Sequence, residues 1–480
     1  MKLSIRVTRL GTPTRGKPAS HGLVYQAVAP LVVVLLFLVA GCSFAPSKRF
    51  AFDAPAGFAI DAEAVSYDDD SDGVIDRTYR FADYADAAVP HVIILLDSVP
   101  FSVMAERYAK GDFAWMGRPV KMIAPFPSLT EICYTEIFNA PPLPGVTDTQ
   151  YDPRLGESRS DLWSRVRGTE QPWERRAAYH ASYDEHGLSF LDPRAWYAAE
   201  LRRAYEAIEA SPDRVTYVYF ASAASMACKY GRAGIEEVLD GARQLCLRLL
   251  YERRGAVRIS MMADHGHNLV ETKNVTLDKT LQDAGFKVRS SLKSADDVVI
   301  SINGLVTTAA IHTQQPARVA EALVKNEAVE LAIYRDQART IIRSRAGMAA
   351  IETQGDRYRY VPIDADVLGY GDLVPGFATE TEWLARTIDH EYPNAPARLS
   401  AAMTRLVVST PSVLVSIRDG YSTGEPEYEK WIDMKSTHGG LNQINCATFV
   451  MSMTGRLKGP VLPRDVLKVL EPNERPRVLR

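Results

Sequence analysis

Residues 256–268 read AVRISMMADHGHN. Val257, Ile259 and Met261 alternate with Arg258 and Ser260, the two-residue period of a strand. The strand runs out into Asp264, His265 and Gly266, so two metal-competent side chains stand where a strand meets a loop. Gly266 lets the backbone turn there without strain. In an open α/β sheet, ligands and chemistry collect at the carboxyl ends of the strands. A lone Asp-His pair is more often a satisfied surface pair than a site. Its weight here comes from matching parts at other strand ends.

Upstream, the apolar run HVIILL (His91–Leu96) has the pattern of a buried parallel strand, and Asp97 follows it directly. A short strand at 122–124 leads into PFPSLT, which ends on Thr130. RVTYVYF (214–220) reads as a strand between two stretches, 194–210 and 234–253, whose 3.6-residue spacing predicts amphipathic helices. This alternation predicts an α/β fold with a mostly parallel central sheet flanked by helices. Strands are expected again at 297–302, 307–312, 412–418 and 447–453, with a small antiparallel set at 332–334, 340–343 and 349–353. Residues 272–405 are expected to form a smaller cap or subdomain inserted in a domain spanning 81–480.

The chain of 480 residues is 46% hydrophobic and 24% charged, with formal net charge −3, so its length suffices for a large core and its balance gives no case for nucleic-acid binding. Lys2, Arg6, Arg9, Arg15 and Lys17 form a basic start without an acid. The apolar run 29–40, too short for a comfortable membrane span, ends in Val39, Ala40, Gly41 and Cys42. This order resembles a bacterial lipobox. It implies a signal peptide over 1–41, acylation of Cys42 and a lipid-anchored protein of the cell envelope, on the outer membrane or the periplasmic face. Cys133, Cys228, Cys246 and Cys446 are spaced too irregularly for a disulfide scaffold and read as buried thiols. Residues 42–80 read as a tether. Within it Asp68, Asp70, Asp72 and Asp76, with Gly73 at the sixth place, resemble a shortened calcium loop; an acidic turn is the competing reading.

Asp97, Thr130, Asp264 and His265 together offer two carboxylates, an imidazole and a hydroxyl, a set that suits a zinc-like divalent ion beside a hydroxyl nucleophile. At this point the chain resembles the type I phosphodiesterase/nucleotide pyrophosphatase family of the alkaline phosphatase superfamily. HVIILLD matches its first strand and metal Asp, PSLT its threonine nucleophile segment, and ADHG its S-D-H-G. KSTHGG (435–440) resembles its late T-H-G segment, which would make His438 a further ligand. The resemblance spans roughly residues 90–475 in order and implies an alkaline-phosphatase-like fold, a metal-dependent phosphodiesterase activity and Thr130 as nucleophile. It also has gaps. The family's other metal site draws an Asp and a His from a stretch matched here by ASAASMACKYG (221–231), where those places fall on Ala224 and Cys228. A phosphoryl-binding Asn falls on Cys133. One metal site is therefore expected complete and its neighbour damaged, with Cys228 as an altered ligand.

His267 and Asn268 are expected as exposed loop residues, with an orienting role for the metal ligands as the alternative. His312 is expected to be structural. Two functions remain open from sequence: a membrane-tethered hydrolase of phosphate esters, and a catalytically impaired binding protein of the same fold. A one-metal hydrolase of sulfate or phosphonate esters is a third; the sulfatase pattern C/S-x-P-x-R has no match.

Overall fold

Six strands build the central sheet: β1 (His91–Leu96), β2 (Val120–Ile123), β3 (Ala177–Tyr179), β4 (Val215–Phe220), β5 (Arg258–Ala263) and β6 (Ala447–Ser452), in the order β2-β6-β5-β1-β4-β3. The pairs β5-β1, β1-β4 and β3-β4 are parallel, and β6 runs antiparallel between β5 and β2. The expected α/β architecture with a mostly parallel central sheet is thus observed. These features are taken from a computed structural model that describes residues 50–146, 150–159, 171–301, 304–373, 376–424 and 433–471. The leader and Cys42 lie outside the described residues, as do residues 147–149 and 425–432.

The unbroken apolar run of β1 follows from covering both faces of the sheet. Val92, Ile94 and Leu96 pack with the buried faces of α2 (Pro193–Ala210) and α4 (Arg232–Glu252). Ile93 and Leu95 pack on the other side with α1 (Thr130–Ile137) and α5 (Pro463–Leu470). Between α2 and α4 stands α3 (Ser222–Tyr230), a buried helix within the stretch 221–231.

A second sheet of nine strands extends the expected small antiparallel set in both directions. Its order is Lys287–Val288, Asp297–Ser301, Thr308–Thr313, Val413–Ile417, Val329–Asp336, Arg339–Arg343, Met348–Gln354, Arg357–Pro362 and Ala378–Thr379. All its pairs but the first are antiparallel. Val413–Ile417 sits in its interior, so this layer does not stop at residue 405. His312 is buried within it and stacks on Tyr151 at 4.1 Å between ring centroids.

The stretch read as a tether is folded from Phe50 onward. Phe58–Ile60, Ala64–Tyr67 and Arg77–Arg80 make a three-stranded antiparallel sheet. Phe52, Phe58 and Tyr67 gather on Tyr251 of α4, and the Tyr67 hydroxyl donates to the Tyr251 carbonyl at 2.6 Å. A few aromatics, not overall polarity, dock this segment.

Glu200 of α2 is fully buried and accepts hydrogen bonds from the backbone amide of Ser222 (3.1 Å) and from its hydroxyl, tying α2 to the start of α3. Burial pushes its carboxyl up from 4.5 to about 8 against the opposing effect of those bonds. A carboxyl raised in the folded state holds its proton there after the unfolded chain has lost it, so stability falls as pH rises. Between pH 4.5 and about 8, thermal melts should therefore show the parent losing stability relative to Glu200→Gln, with a slope of about 1.4 kcal/mol per pH unit. Parallel stability curves for the two proteins would refute this account.

Candidate active site

Register brings the first two acids together. Leu96, the last residue of β1, pairs with Ala263, the last of β5, so Asp97 and Asp264 leave neighbouring parallel strands at the same level. Strands in a sheet lie about 4.8 Å apart, which sets the two carboxylates side by side. The Ser98 amide donates to Asp264 Oδ1 at 3.2 Å, and the His265 amide to the same oxygen at 2.9 Å. Ser98 takes a left-handed conformation (φ 63°). Its hydroxyl donates to Asp97 Oδ1 at 2.7 Å.

Thr130 opens α1, with Leu129 as the cap residue in extended conformation. Its Oγ1 lies 3.3 Å from Asp97 Oδ2 and 3.2 Å from His265 Nε2. His265 Nδ1 is 2.9 Å from the Gly266 carbonyl, which can only accept, so Nδ1 carries the proton and Nε2 presents a lone pair. Nε2 is also 3.3 Å from Asp264 Oδ2. Gly266 is required for a reason other than turn freedom. A Cβ on it would lie 2.1 Å from the Ile444 carbonyl oxygen, so the β5 exit can pass beside residues 444–447 only without a side chain.

The site is almost closed to water. Asp97, Asp264 and His265 are buried, and Thr130 keeps 8% exposure. Burial together with the neighbouring Asp97 charge pushes Asp264 well above the usual carboxylate range, and burial lowers His265 despite the opposing pull of Asp97. Tyr219 of β4 donates to Asp97 Oδ2 at 2.7 Å, and burial, then the Asp97 charge, push its phenol well up, so it stays a donor.

Asp97, Asp264 and His265 present ligand atoms within 4.8 Å of one another, and Asp264 Oδ2 is buried without a hydrogen-bond partner among the described residues. Two buried carboxylates whose partners are hydroxyls, amides and a neutral imidazole lack a counter-charge, and a divalent cation supplies it. The set of carboxylate, carboxylate and imidazole fits zinc. Asp97, Thr130, Asp264 and His265 are therefore brought together.

His438 and Cys228 lie outside that ligand group. The His438 ring stacks on His265 at 4.1 Å, and its Nδ1 is 3.0 Å from the Ser128 carbonyl. Burial and the neighbouring His265 lower its affinity for a proton, to a pKa of about 3. Cys228 is buried in α3 and its thiol is pushed up by burial and by Asp97, which keeps it protonated. Ala224 lies buried in the same helix and offers no ligand atom. Cys133, Cys228, Cys246 and Cys446 are free thiols.

His267 and Asn268 are not exposed loop residues; both are buried. Asn268 Oδ1 accepts from the Thr437 amide at 2.9 Å and the Asn268 amide donates to the Thr437 carbonyl at 2.8 Å. The Ser128 amide donates to the Gly439 carbonyl at 3.2 Å. Residues 437–439 are thus clamped between the β5 exit and the segment leading to Thr130. Sequence reasoning missed Ser98, Tyr219 and Ser128. Tyr219 had a signal, since a tyrosine on a buried strand needs a partner for its hydroxyl.

In the acidic loop, Asp68, Asp70 and Asp76 present carboxylate oxygens within 4.8 Å of one another. The expected fourth member, Asp72, accepts instead from the Val74 amide at 2.8 Å. Gly73 has φ 90°, and its amide donates to Asp68 at 2.9 Å.

No protein-family model matches this chain, and no curated protein matches it in sequence. Similar solved structures include murine ectonucleotide pyrophosphatase/phosphodiesterase 5, at 10% identity over 79% of this chain and 94% of that one, with TM-score 0.42. The human protein of the same name gives 10% identity, 79% and 93% coverage and TM-score 0.41. Phosphonoacetate hydrolase from Sinorhizobium meliloti 1021, in complex with phosphonoformate, gives 12% identity, 81% and 95% coverage and TM-score 0.43. At this level of likeness, the assignment of fold and site rests on the strand order and side chains described above.

Proposed function

We propose that this chain is a metal-dependent hydrolase of phosphate esters, acting on phosphodiesters with Thr130 as nucleophile. The observation that carries the reading is the position of Thr130 Oγ1, 3.3 Å from Asp97 and 3.2 Å from the unprotonated nitrogen of His265, within a buried group that fits a divalent ion. Asp97, Asp264 and His265 would hold the ion, with the Thr130 oxygen beside them. A bound divalent ion supplies Lewis-acid chemistry: it makes a hydroxyl ionise near neutral pH and offsets phosphoryl charge.

The protein's own groups set the geometry. Tyr219 and Ser98 fix Asp97 in one orientation through hydrogen bonds of 2.7 Å each. The Gly266 carbonyl holds His265 with its lone pair toward Thr130. Thr130 at the first residue of α1 stands beside backbone amides that lack helical partners, a setting that favours an anion. Burial keeps water away from Asp97, Asp264 and His265, while Thr130 keeps some exposure. The test is hydrolysis of matched aryl phosphodiester, phosphomonoester and sulfate substrates by the zinc-loaded chain. The diester is expected to react fastest. No turnover of any of them by a folded, zinc-loaded protein would favour the alternative of a binding protein with lost catalysis, to which Ala224 and the protonated Cys228 already lend support.

The acidic loop is read here as a calcium site formed by Asp68, Asp70 and Asp76. Binding to the folded state alone stabilises it by mass action. Added calcium should raise the melting temperature of the parent and leave that of Asp68→Ala/Asp70→Ala unchanged; an unresponsive parent removes the site.

The leader supports attachment to the bacterial envelope through acylated Cys42. Metabolic labelling with a fatty-acid analogue should mark the parent and not Cys42→Ala, and equal labelling of both would exclude the anchor.

A further inference from the structure

Gly266 is held at both ends. Its carbonyl accepts from His265 Nδ1 at 2.9 Å, and its amide donates to the Asn445 carbonyl at 2.9 Å. The His265 ring is therefore oriented by a residue that Asn445 itself holds. Asn445 is fully buried and stands just before β6. Its side chain reaches a second histidine segment. Asn445 Oδ1 accepts from the Thr307 hydroxyl at 3.3 Å, and the Thr307 amide donates to the His438 carbonyl at 2.8 Å. Asn445 thus bonds to the supports of both stacked rings, His265 and His438.

Asn445 is fixed in turn from the nine-stranded sheet. Asp419 lies just beyond the strand Val413–Ile417. Its Oδ1 accepts from Asn445 Nδ2 at 3.1 Å, and its Oδ2 accepts from Asn442 Nδ2 at 2.7 Å. Asn445 Nδ2 also donates to Asn442 Oδ1 at 2.5 Å. An ionised carboxylate can only accept. It turns both amide nitrogens toward itself, which leaves the Asn445 oxygen facing Thr307. Bonds to an ionised acceptor are also stronger than neutral ones, so Asp419 decides how the two asparagines sit.

We propose that Asp419 is a positioning residue for His265, acting through Asn445 and Gly266 from the nine-stranded sheet to the carboxyl edge of the central one. The inference rests on reading Thr130 and His265 as catalytic groups, but the setting of the ring can be measured without metal or substrate. Asp419→Asn is the variant that changes shape least. One carboxylate oxygen becomes an NH₂ group, which must face an amide donor, so Asn442 and Asn445 can no longer both keep their places. Displacing Asn445 moves the carbonyl that holds Gly266, and with it the carbonyl that holds the His265 ring.

The experiment is proton–nitrogen NMR of the metal-free chain labelled at histidine, with kinetics of the zinc-loaded chain on an aryl phosphodiester beside it. The parent should show a slowly exchanging Nδ1 proton of His265, identified by its loss in His265→Gln. Asp419→Asn should shift that resonance and speed its exchange while circular dichroism stays that of the parent. Its kcat should fall by about 10–100-fold, the usual scale for a residue that orients a ligand histidine, with KM held. Asn445→Ala should give the same shift and loss by itself, which keeps the test open if Asp419→Asn does not fold. In the Asn445→Ala background, Asp419→Asn should add little, because the two act in one chain. A His265 proton that is unprotected in the parent, a resonance that stays in place in both variants, or fully additive losses overturn the proposal. A carboxylate with a structural role alone would lower the melting temperature and leave that resonance where it was. The two readings fail separately. A resonance that depends on Asp419 in a parent without hydrolysis keeps the positioning role and removes the hydrolase, while Thr130-dependent hydrolysis with an unmoved resonance does the reverse.

Discussion

Thr130→Ala is expected to lower hydrolysis of an aryl phosphodiester by about 10³-fold or more, the usual scale for loss of a nucleophile. The substitution removes one hydroxyl from a residue that keeps 8% exposure, and it leaves a good helix former at the start of α1. The melting temperature should stay near that of the parent. Thr130→Ser restores an oxygen at the same distance from the backbone and should recover most of the rate. That pairing separates a nucleophile from a packing residue, since serine fills less space than threonine while keeping the chemistry. Equal rates in the parent and Thr130→Ala would end the assignment.

Asp264→Asn should have a divided effect. Asp264 Oδ1 accepts from the Ser98 and His265 amides, and an asparagine oxygen can keep both bonds. In the metal-free chain the substitution also removes a carboxyl that burial, and then the neighbouring Asp97 charge, disfavours in its ionised form. Metal-free Asp264→Asn should therefore melt at or above the metal-free parent. With zinc the order reverses. An ion present at a thousand-fold over its dissociation constant stabilises the parent by about 4 kcal/mol, and the variant should gain little of this from the Asp97–Asp264–His265 site. Its turnover should fall with that loss. Scanning calorimetry with zinc and with a chelator measures both halves. A variant that is destabilised without metal, or that keeps the full zinc response, would show that Asp264 is structural.

The parts of the site that were legible in sequence are those fixed by local pattern. HVIILL and RISMMA are unbroken buried strands, each followed at once by its acid, and parallel pairing in register sets the two acids together. Thr130 was legible because a short strand leads into PFPSLT, a segment that resembles a known nucleophile motif; the helix that Thr130 opens was not read. Where a residue's setting depends on distant segments, pattern failed. His267 and Asn268 follow a strand and carry polar side chains, which reads as an exposed loop. Their burial comes from residues 436–438, about 170 positions away. Six members of the nine-stranded sheet were read as strands but not as one sheet, because they are scattered between residues 297 and 418, and its outer members, Lys287–Val288 and Ala378–Thr379, are too short to show a period. Residues 50–80 read as a tether because aspartate and alanine dominate them, while their few aromatics do the anchoring on Tyr251.

Those outermost strands also bear on how copies of the chain meet at high concentration. A two-residue edge offers about 7 Å of open ladder, against the longer continuous seam that fibril growth by strand addition uses. The central sheet tapers in the same way, to Ala177–Tyr179 at one side and Val120–Ile123 at the other. Wide sheets with clipped margins give a neighbouring molecule little to zip onto. Crowding such a protein on a surface should then leave it dispersed, with contacts between copies governed by charge and not by backbone pairing.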